Sequence, residues 1–308
     1  MAQAADSIRR ARPLLGTFVE IFAAGLDETR LETAVETAFG SIEKVHRLMS
    51  FHERDSDVSK LNREAHIAPV KVHPWTFEVL QLSMQLHAAS GGAFNIAVAP
   101  ALHRLGFLPA TGAHEEISAA EIGCNVSDGV GFELLDGHRV RFQRRDIQID
   151  LGGIAKGFAV DRAVETLKAV GAASGAVNAG GDIAVFGEKR QKIHLRDPRD
   201  PRALLSEVEL SNRALASSGG RFDPFTCGTA GRSAIVEPRT GKAIEAVAGA
   251  AVIAPACVIA DALTKPVMIL GETSGALLRA YDARALIVCA NGSVLHTPGW
   301  EGLRDLAA

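Results

Sequence analysis

The 308-residue chain has only four cysteines, Cys124, Cys227, Cys257 and Cys289, which lie far apart and form no C-x-x-C pair. That spacing speaks against a zinc site and a dense disulfide framework, and it reads as buried small hydrophobes. Positive charge is also in short supply. With 33 Lys and Arg against 36 Asp and Glu, the net charge is -3. No basic field draws in nucleic acid or anionic lipid, so any anion must be held by local groups. The opening MAQAADSIRRARPLLGTFVEI lacks an apolar run for a secretory signal and a cysteine for lipid attachment, and no stretch suits a membrane span. The expectation is a soluble, cytoplasmic chain, with export left open if the N-terminus was trimmed. No two of the ten histidines stand at i, i+4 or in H-E-x-x-H, and His52 reads as a surface residue. There is no G-x-S-x-G, and the serines of LASSGG have no base in view, so a hydrolase triad is unsupported. Repeats, low-complexity tracts and linkers are missing as well.

What is present suffices for a large core, since 47% of residues are hydrophobic. GTFVEIFAA reads as a strand. Leu31, Val35, Ala38, Ile42, Val45 and Met49 recur at spacings of four and three, which predicts one buried helical stripe. FHERDSDVSKLNREA reads as a loop entering a short helix, and Pro74 opens another, with Phe77, Leu80 and Met84 on its inner side and its end at SGGAFN. From Glu121 to Ile149 turns alternate with short apolar stretches, and GVGFELLDGHRVRF reads as a hairpin about Asp136 and Gly137. The mixture of helices and hairpins predicts an α+β fold with antiparallel sheets rather than a doubly wound one.

One stretch carries more than fold. QIDLGGIAKGFAVDRAV puts a carboxylate, two glycines and a lysine between a strand-like run, with Ile147 and Ile149 alternating, and a helix whose stripe is Val160, Val164, Leu167 and Val170. Gly152 and Gly153 allow close approach to the backbone, the helix start favours an anion, and Lys156 adds a full charge one turn in. The glycine spacing fits neither a P-loop nor a Rossmann fingerprint, and an ordinary glycine turn with a solvated lysine gives the same text. VNAGGDIAVFG brings a second glycine pair closed by Asp182, and LASSGG and IVEPRTGKAI add two more turns. In APACVIADALTKPVMILG the only carboxylate is Asp261. So placed, it needs a metal or a cation as partner, unless it caps a helix that starts at Ala262.

In this order, LLGTFVEI, SDVSKLN, GGAFNIAVAP, IDLGGIAKGFAVDRAV, VNAGGDIAVFG, LASSGG, EPRTG and ADALT resemble the ApbE family, the FAD:protein FMN transferases, from about Leu15 to about Gly271. The resemblance implies a single ApbE-like domain over 1–308, or two intimate lobes dividing near 120–150 with a nucleotide cleft between them. It also implies FAD as substrate, Mg2+ at the diphosphate, and transfer of FMN to a Thr or Ser hydroxyl of an acceptor protein with release of AMP. By the family pattern, Lys156 contacts the flavin nucleotide, Gly153 offers a backbone carbonyl to the magnesium and Asp261 supplies its carboxylate. Gly152, Ser59, Asn62, Asn178, Asp182 and Ser218 fall in cleft-lining segments, although each also suits a purely structural turn.

This sequence departs from the pattern in several places. Four residues after the aspartate the family has a threonine that ligates the metal, and here it is Lys265, whose ammonium has no lone pair to give. Lys265 could replace the ion as a fixed charge, swing outward while water completes the metal shell, or mark decayed catalysis. Ala234 stands where a histidine is usual, Glu237 and Asn95 where aspartates are, and Leu15 where methionine is common. Losing a general base typically lowers a rate by about 10² to 10⁴. The alternatives to a transferase are therefore a flavin-binding protein without catalysis, or an FAD pyrophosphatase.

Overall fold

The computed structural model describes residues 6–109, 130–219, 233–300 and 304–305. Cys124, Cys227, Gly220 and the start of the stretch from Glu121 lie outside the described residues. Eight strands, Ser7–Leu14, Thr17–Ala24, Ser174–Ala179, Asp182–Phe186, Ala214–Gly219, Val247–Ala254, Arg284–Cys289 and Val294–His296, form one sheet in chain order. Every neighbouring pair is antiparallel. Thr17–Ala24 pairs directly with Ser174–Ala179, so the sheet unites both ends of the chain across the 120–150 interval.

Seven α-helices occur among the described residues: α1 (Glu28–Met49), α2 (Asp57–Glu64), α3 (Pro74–Ala89), α4 (Ala99–Arg104), α5 (Ala155–Val170), α6 (Cys257–Leu270) and α7 (Gly275–Ala280). None is long and apolar enough to cross a membrane. Asp27 caps α1 by accepting from the Arg30 amide at 3.0 Å, and the predicted stripe, extended by Ala34 and Phe39, is buried. Each large aliphatic or aromatic side chain so placed stabilises the fold by about 1.5–3 kcal/mol. Proline at the first position of α3 needs no amide partner, as the sequence predicted. The inner face of α3 is Thr76, Val79, Leu80, Ser83 and Leu86, whereas Phe77 and Met84 are only half-buried.

Helices α1, α5 and α6 share one core with Val19, Ile21, Val177 and Val252 of the sheet. On the other face Ile183, Val185, Leu215, Ile253 and Leu286 meet Leu195, Val208 and Leu210 of the Gln191–Asp197/Asp200–Leu210 hairpin, with Trp300. This double cover explains why Val247–Ala254 is buried at every residue and reads VAGAAVIA, without the polar alternation usual in antiparallel strands.

One expectation is corrected and one alternative falls. The run Ile147–Ile149 is buried but joins no ladder, because its partner is a side chain: Asn62 accepts from the Ile149 amide at 2.8 Å and donates to its carbonyl at 2.9 Å. A side-chain amide thus mimics one rung of sheet. Nor does Asp261 cap a helix starting at Ala262, since α6 begins at Cys257 and carries Asp261 in its second turn. Its cap comes from α5, where the Asp161 carboxylate accepts from the Cys257 amide at 2.9 Å and the Val258 amide at 2.8 Å.

Candidate functional site

The start of α5 and the second turn of α6 meet across Gly157. There the chain brings together two carboxylates and two ammonium groups from three distant segments. Lys156 Nζ lies 2.6 Å from Asp182 Oδ2 and 3.8 Å from Asp261 Oδ1. Lys265, one helical turn after Asp261, donates to Asp261 Oδ1 and, at 3.0 Å, to its backbone carbonyl. The other carboxylate oxygen, Oδ2, accepts from the Gly157 amide at 3.0 Å. The Asp261 and Asp182 side chains are only 1% and 2% exposed, while Lys265 keeps 16% and Lys156 32%. The acids are thus inside and the cations face outward.

These surroundings drive the two acids apart. Burial favours a neutral carboxyl at both positions. At Asp261 it is overcome by Lys156, Lys265 and the Gly157 amide, which hold the group below the usual carboxylate range. At Asp182 burial and the Asp261 charge prevail over Lys156 and Lys265, and the group is pushed up. Burial alone would lower Lys156, but Asp182 and Asp261 outweigh it and hold the ammonium well above its ordinary value. Lys156 is therefore held as an ammonium by the two acids beside it.

The neighbouring backbone is shaped for this cluster. Gly180 and Gly181, at φ 62° and 100°, make the tight turn before Asp182, and the Gly181 amide donates to Asn178 Oδ1 at 3.0 Å. The Lys265 stem passes directly over Gly153, where a Cβ would stand 3.1 Å from Lys265 Cε. Ser218 Oγ lies 2.8 Å from Thr264 Oγ1, which donates to the Asp261 carbonyl at 2.7 Å.

Two cavities adjoin the cluster. One is lined by Asn178, Gly181, Ser218 and Gly249 with residues of the Gln191–Asp197 strand. The other, of about 290 Å³, is lined by Asn95, Asp150, Gly152, Gly153, Ala234 and Lys265. The Ser218–Thr264 contact and Lys265 link the two. Among the sequence candidates, Gly153, Lys156, Asp182, Asp261 and Lys265 thus converge, with Gly152, Asn178 and Ser218 on the cavity walls. Ser59 and Asn62 spend their side chains on backbone, Ser59 Oγ donating to the Phe51 carbonyl at 3.3 Å and Asn62 gripping Ile149. Asn62 therefore fixes the entrance to the glycine turn. Asp150 received no role from sequence, yet it lines the second cavity and accepts from the Gly152 amide at 3.1 Å. Its carboxyl is raised by burial, against that amide, His52, Lys265 and Lys156. The signal available was its position two residues before the glycine pair.

The model of the ApbE family matches residues 15–287. A Vibrio cholerae protein named FAD:protein FMN transferase is 27% identical over 286 residues, covering 88% of this chain and 84% of its own length. A Treponema pallidum protein of the same name is 28% identical over 297 residues, with 88% and 81% covered. Among solved structures, the ApbE protein of Thermotoga maritima superposes with a TM-score of 0.83 at 25% identity, covering 96% of this chain and 98% of that one.

Proposed function

The chain belongs to the ApbE family, and from that membership we propose that it moves FMN from FAD to a threonine or serine hydroxyl of an acceptor protein. The observation that carries the reading is the cluster of Lys156, Asp182, Asp261 and Lys265, with one cavity lined by Lys265 and another lined by Gly181 and by Ser218, which hydrogen-bonds Thr264 beside the cluster. A dinucleotide has two bulky halves joined by a compact, doubly charged diphosphate. In this reading the halves occupy the two cavities and the diphosphate lies against the outward cations Lys156 and Lys265. Gly152 and Gly153 permit close approach, and Asn178 and Ser218 offer polar contacts on the far side.

The chemistry is an in-line displacement. The acceptor hydroxyl oxygen attacks the FMN-side phosphorus, a new P–O bond forms, the bridging P–O bond breaks and AMP departs with its electron pair. Lys156 and Lys265 neutralise the charge spreading over the phosphate oxygens. The hydroxyl proton needs an acceptor, and Ala234 in the cavity wall provides none. Asp150 stands in the same wall, and its raised carboxyl is tuned in the direction that suits proton transfer. We assign it that role, with the proton passing on to the departing AMP.

Magnesium does not fit this donor set as folded. One oxygen of Asp261 is taken by the Lys265 ammonium and the other by the Gly157 amide, and Asp182 serves Lys156. Incubating the chain with FAD and a peptide carrying the Asp-Gly-x-Thr/Ser-Gly-Ala-Thr acceptor pattern should yield AMP and a peptide heavier by one FMN. Asp261→Ala should abolish both products. FAD binding without either product from the wild type would instead favour the non-catalytic reading, which the Ala234 wall also fits, and AMP without peptide labelling would favour the pyrophosphatase.

A further inference from the structure

We infer that the Lys265 ammonium is a built-in replacement for the divalent cation, so that the chain grips the diphosphate of FAD without a metal. The inference rests on the transferase reading for the identity of the ligand. Three observations carry it.

The first is position. The Lys265 stem crosses Gly153 and its Nζ ends on Asp261. With position 265 itself, these are the residues that the family pattern gives to the metal, so the ammonium lies among the metal's own positions. The second is commitment. Lys265 is held by the Asp261 carboxylate and carbonyl at once and keeps only 16% of its side chain exposed. Swinging it outward would leave a buried carboxylate with only Lys156, at 3.8 Å, as a cationic partner. The third is charge. With Lys156, Lys265, Asp182 and Asp261 the cluster is already neutral, whereas a threonine at 265 would leave it one charge negative and in need of a cation. The second cavity shows the same drift, because Asn95 stands where the pattern has an aspartate. Asn95 is 8% exposed, its Oδ1 accepts from the Ala97 amide at 2.8 Å, and its Nδ2 has no partner among the described residues. That amide is a spare donor beside a site for an anion. Relative to the pattern, positions 95 and 265 together add two positive charges, the same increment that a bound Mg2+ brings.

The test is FAD binding, read by quenching of flavin fluorescence in EDTA and in excess Mg2+, with Mn2+ titration of the ligand-free chain followed by electron paramagnetic resonance. The wild type should bind FAD equally within about twofold in the two buffers and show no Mn2+ site. Lys265→Thr should lose about tenfold or more in EDTA, recover in Mg2+ and gain a Mn2+ site. Lys265→Met should lose as much in both buffers, because it removes the charge without supplying a ligand. Tenfold tighter wild-type binding in Mg2+, or a Mn2+ site in the wild type, would overturn the inference, and neither result depends on a variant folding. A Lys265→Thr chain indifferent to both buffers would overturn it too. A folded wild type that binds FAD in neither buffer would sink the transferase reading and the diphosphate role with it, while the Mn2+ arm would still decide whether Lys265 excludes a divalent ion.

Discussion

Alanine at Gly157 and at Gly40 should shift stability in opposite directions. Both glycines sit inside helices, α5 and α1, where exchanging glycine for alanine ordinarily stabilises by about 0.5–1 kcal/mol. At Gly40 a new methyl meets nothing within 4 Å, so that gain should appear undiminished. At Gly157 the same methyl would overlap the backbone carbonyl of Cys257, whose carbon lies 2.7 Å away, and would stand 2.8 Å from Asp261 Cβ. Backbone cannot rotate aside as a side chain can, so α5 and α6 must separate. Overpacking of this kind costs about 1–3 kcal/mol, which exceeds the propensity gain. The separation also stretches the 3.0 Å hydrogen bond from the Gly157 amide to Asp261 and moves the acid relative to Lys156. Urea unfolding followed by circular dichroism should show Gly40→Ala more stable than wild type and Gly157→Ala less stable. FAD affinity should fall in the second variant alone. A Gly157→Ala chain as stable as Gly40→Ala would refute the close crossing of the two helices.

Asp161 should make stability depend on pH, because burial pushes its carboxyl up to about 6 despite two backbone donors. The folded state then holds the proton more tightly than the unfolded one, so this contribution is complete below about pH 4 and is lost as pH rises through about 6. Its size is at most about 3 kcal/mol, and the difference in urea stability between wild type and Asp161→Asn should shrink over that window as pH rises. A pH-independent difference would show that the carboxylate is not strained by burial. Asn62→Leu should cost about 2–4 kcal/mol, since it leaves both the amide and the carbonyl of Ile149 buried without partners. Hydrogen exchange at Ile149 should quicken with it, and an unchanged rate would argue against the clamp.

The sequence displayed the helical stripe of α1, the proline start of α3, the Asp136–Gly137 hairpin, whose strands Phe132–Leu135 and Arg139–Phe142 pair antiparallel, and most of the charged cluster. Periodicity and turn chemistry are local, and those features depend on little else. The failures share a cause. Ile147–Ile149 looked like a strand because it is extended and apolar on alternate sides, yet its partner is a side chain from 87 residues away. The start of α6 was left open because its capping acid stands on another helix, 96 residues earlier. The orientation of Lys265 was left open for the same reason. Only the packed structure shows that its stem lies over Gly153 and its ammonium on Asp261.

That contact ties two sites of mutation into one historical unit. A side chain at 153 would crowd the lysine stem, since even a Cβ there would stand 3.1 Å from Lys265 Cε, so position 153 is constrained for as long as 265 is lysine. Sequences carrying lysine at 265 are therefore expected to keep glycine at 153, whereas those with a shorter residue at 265 are free of that demand.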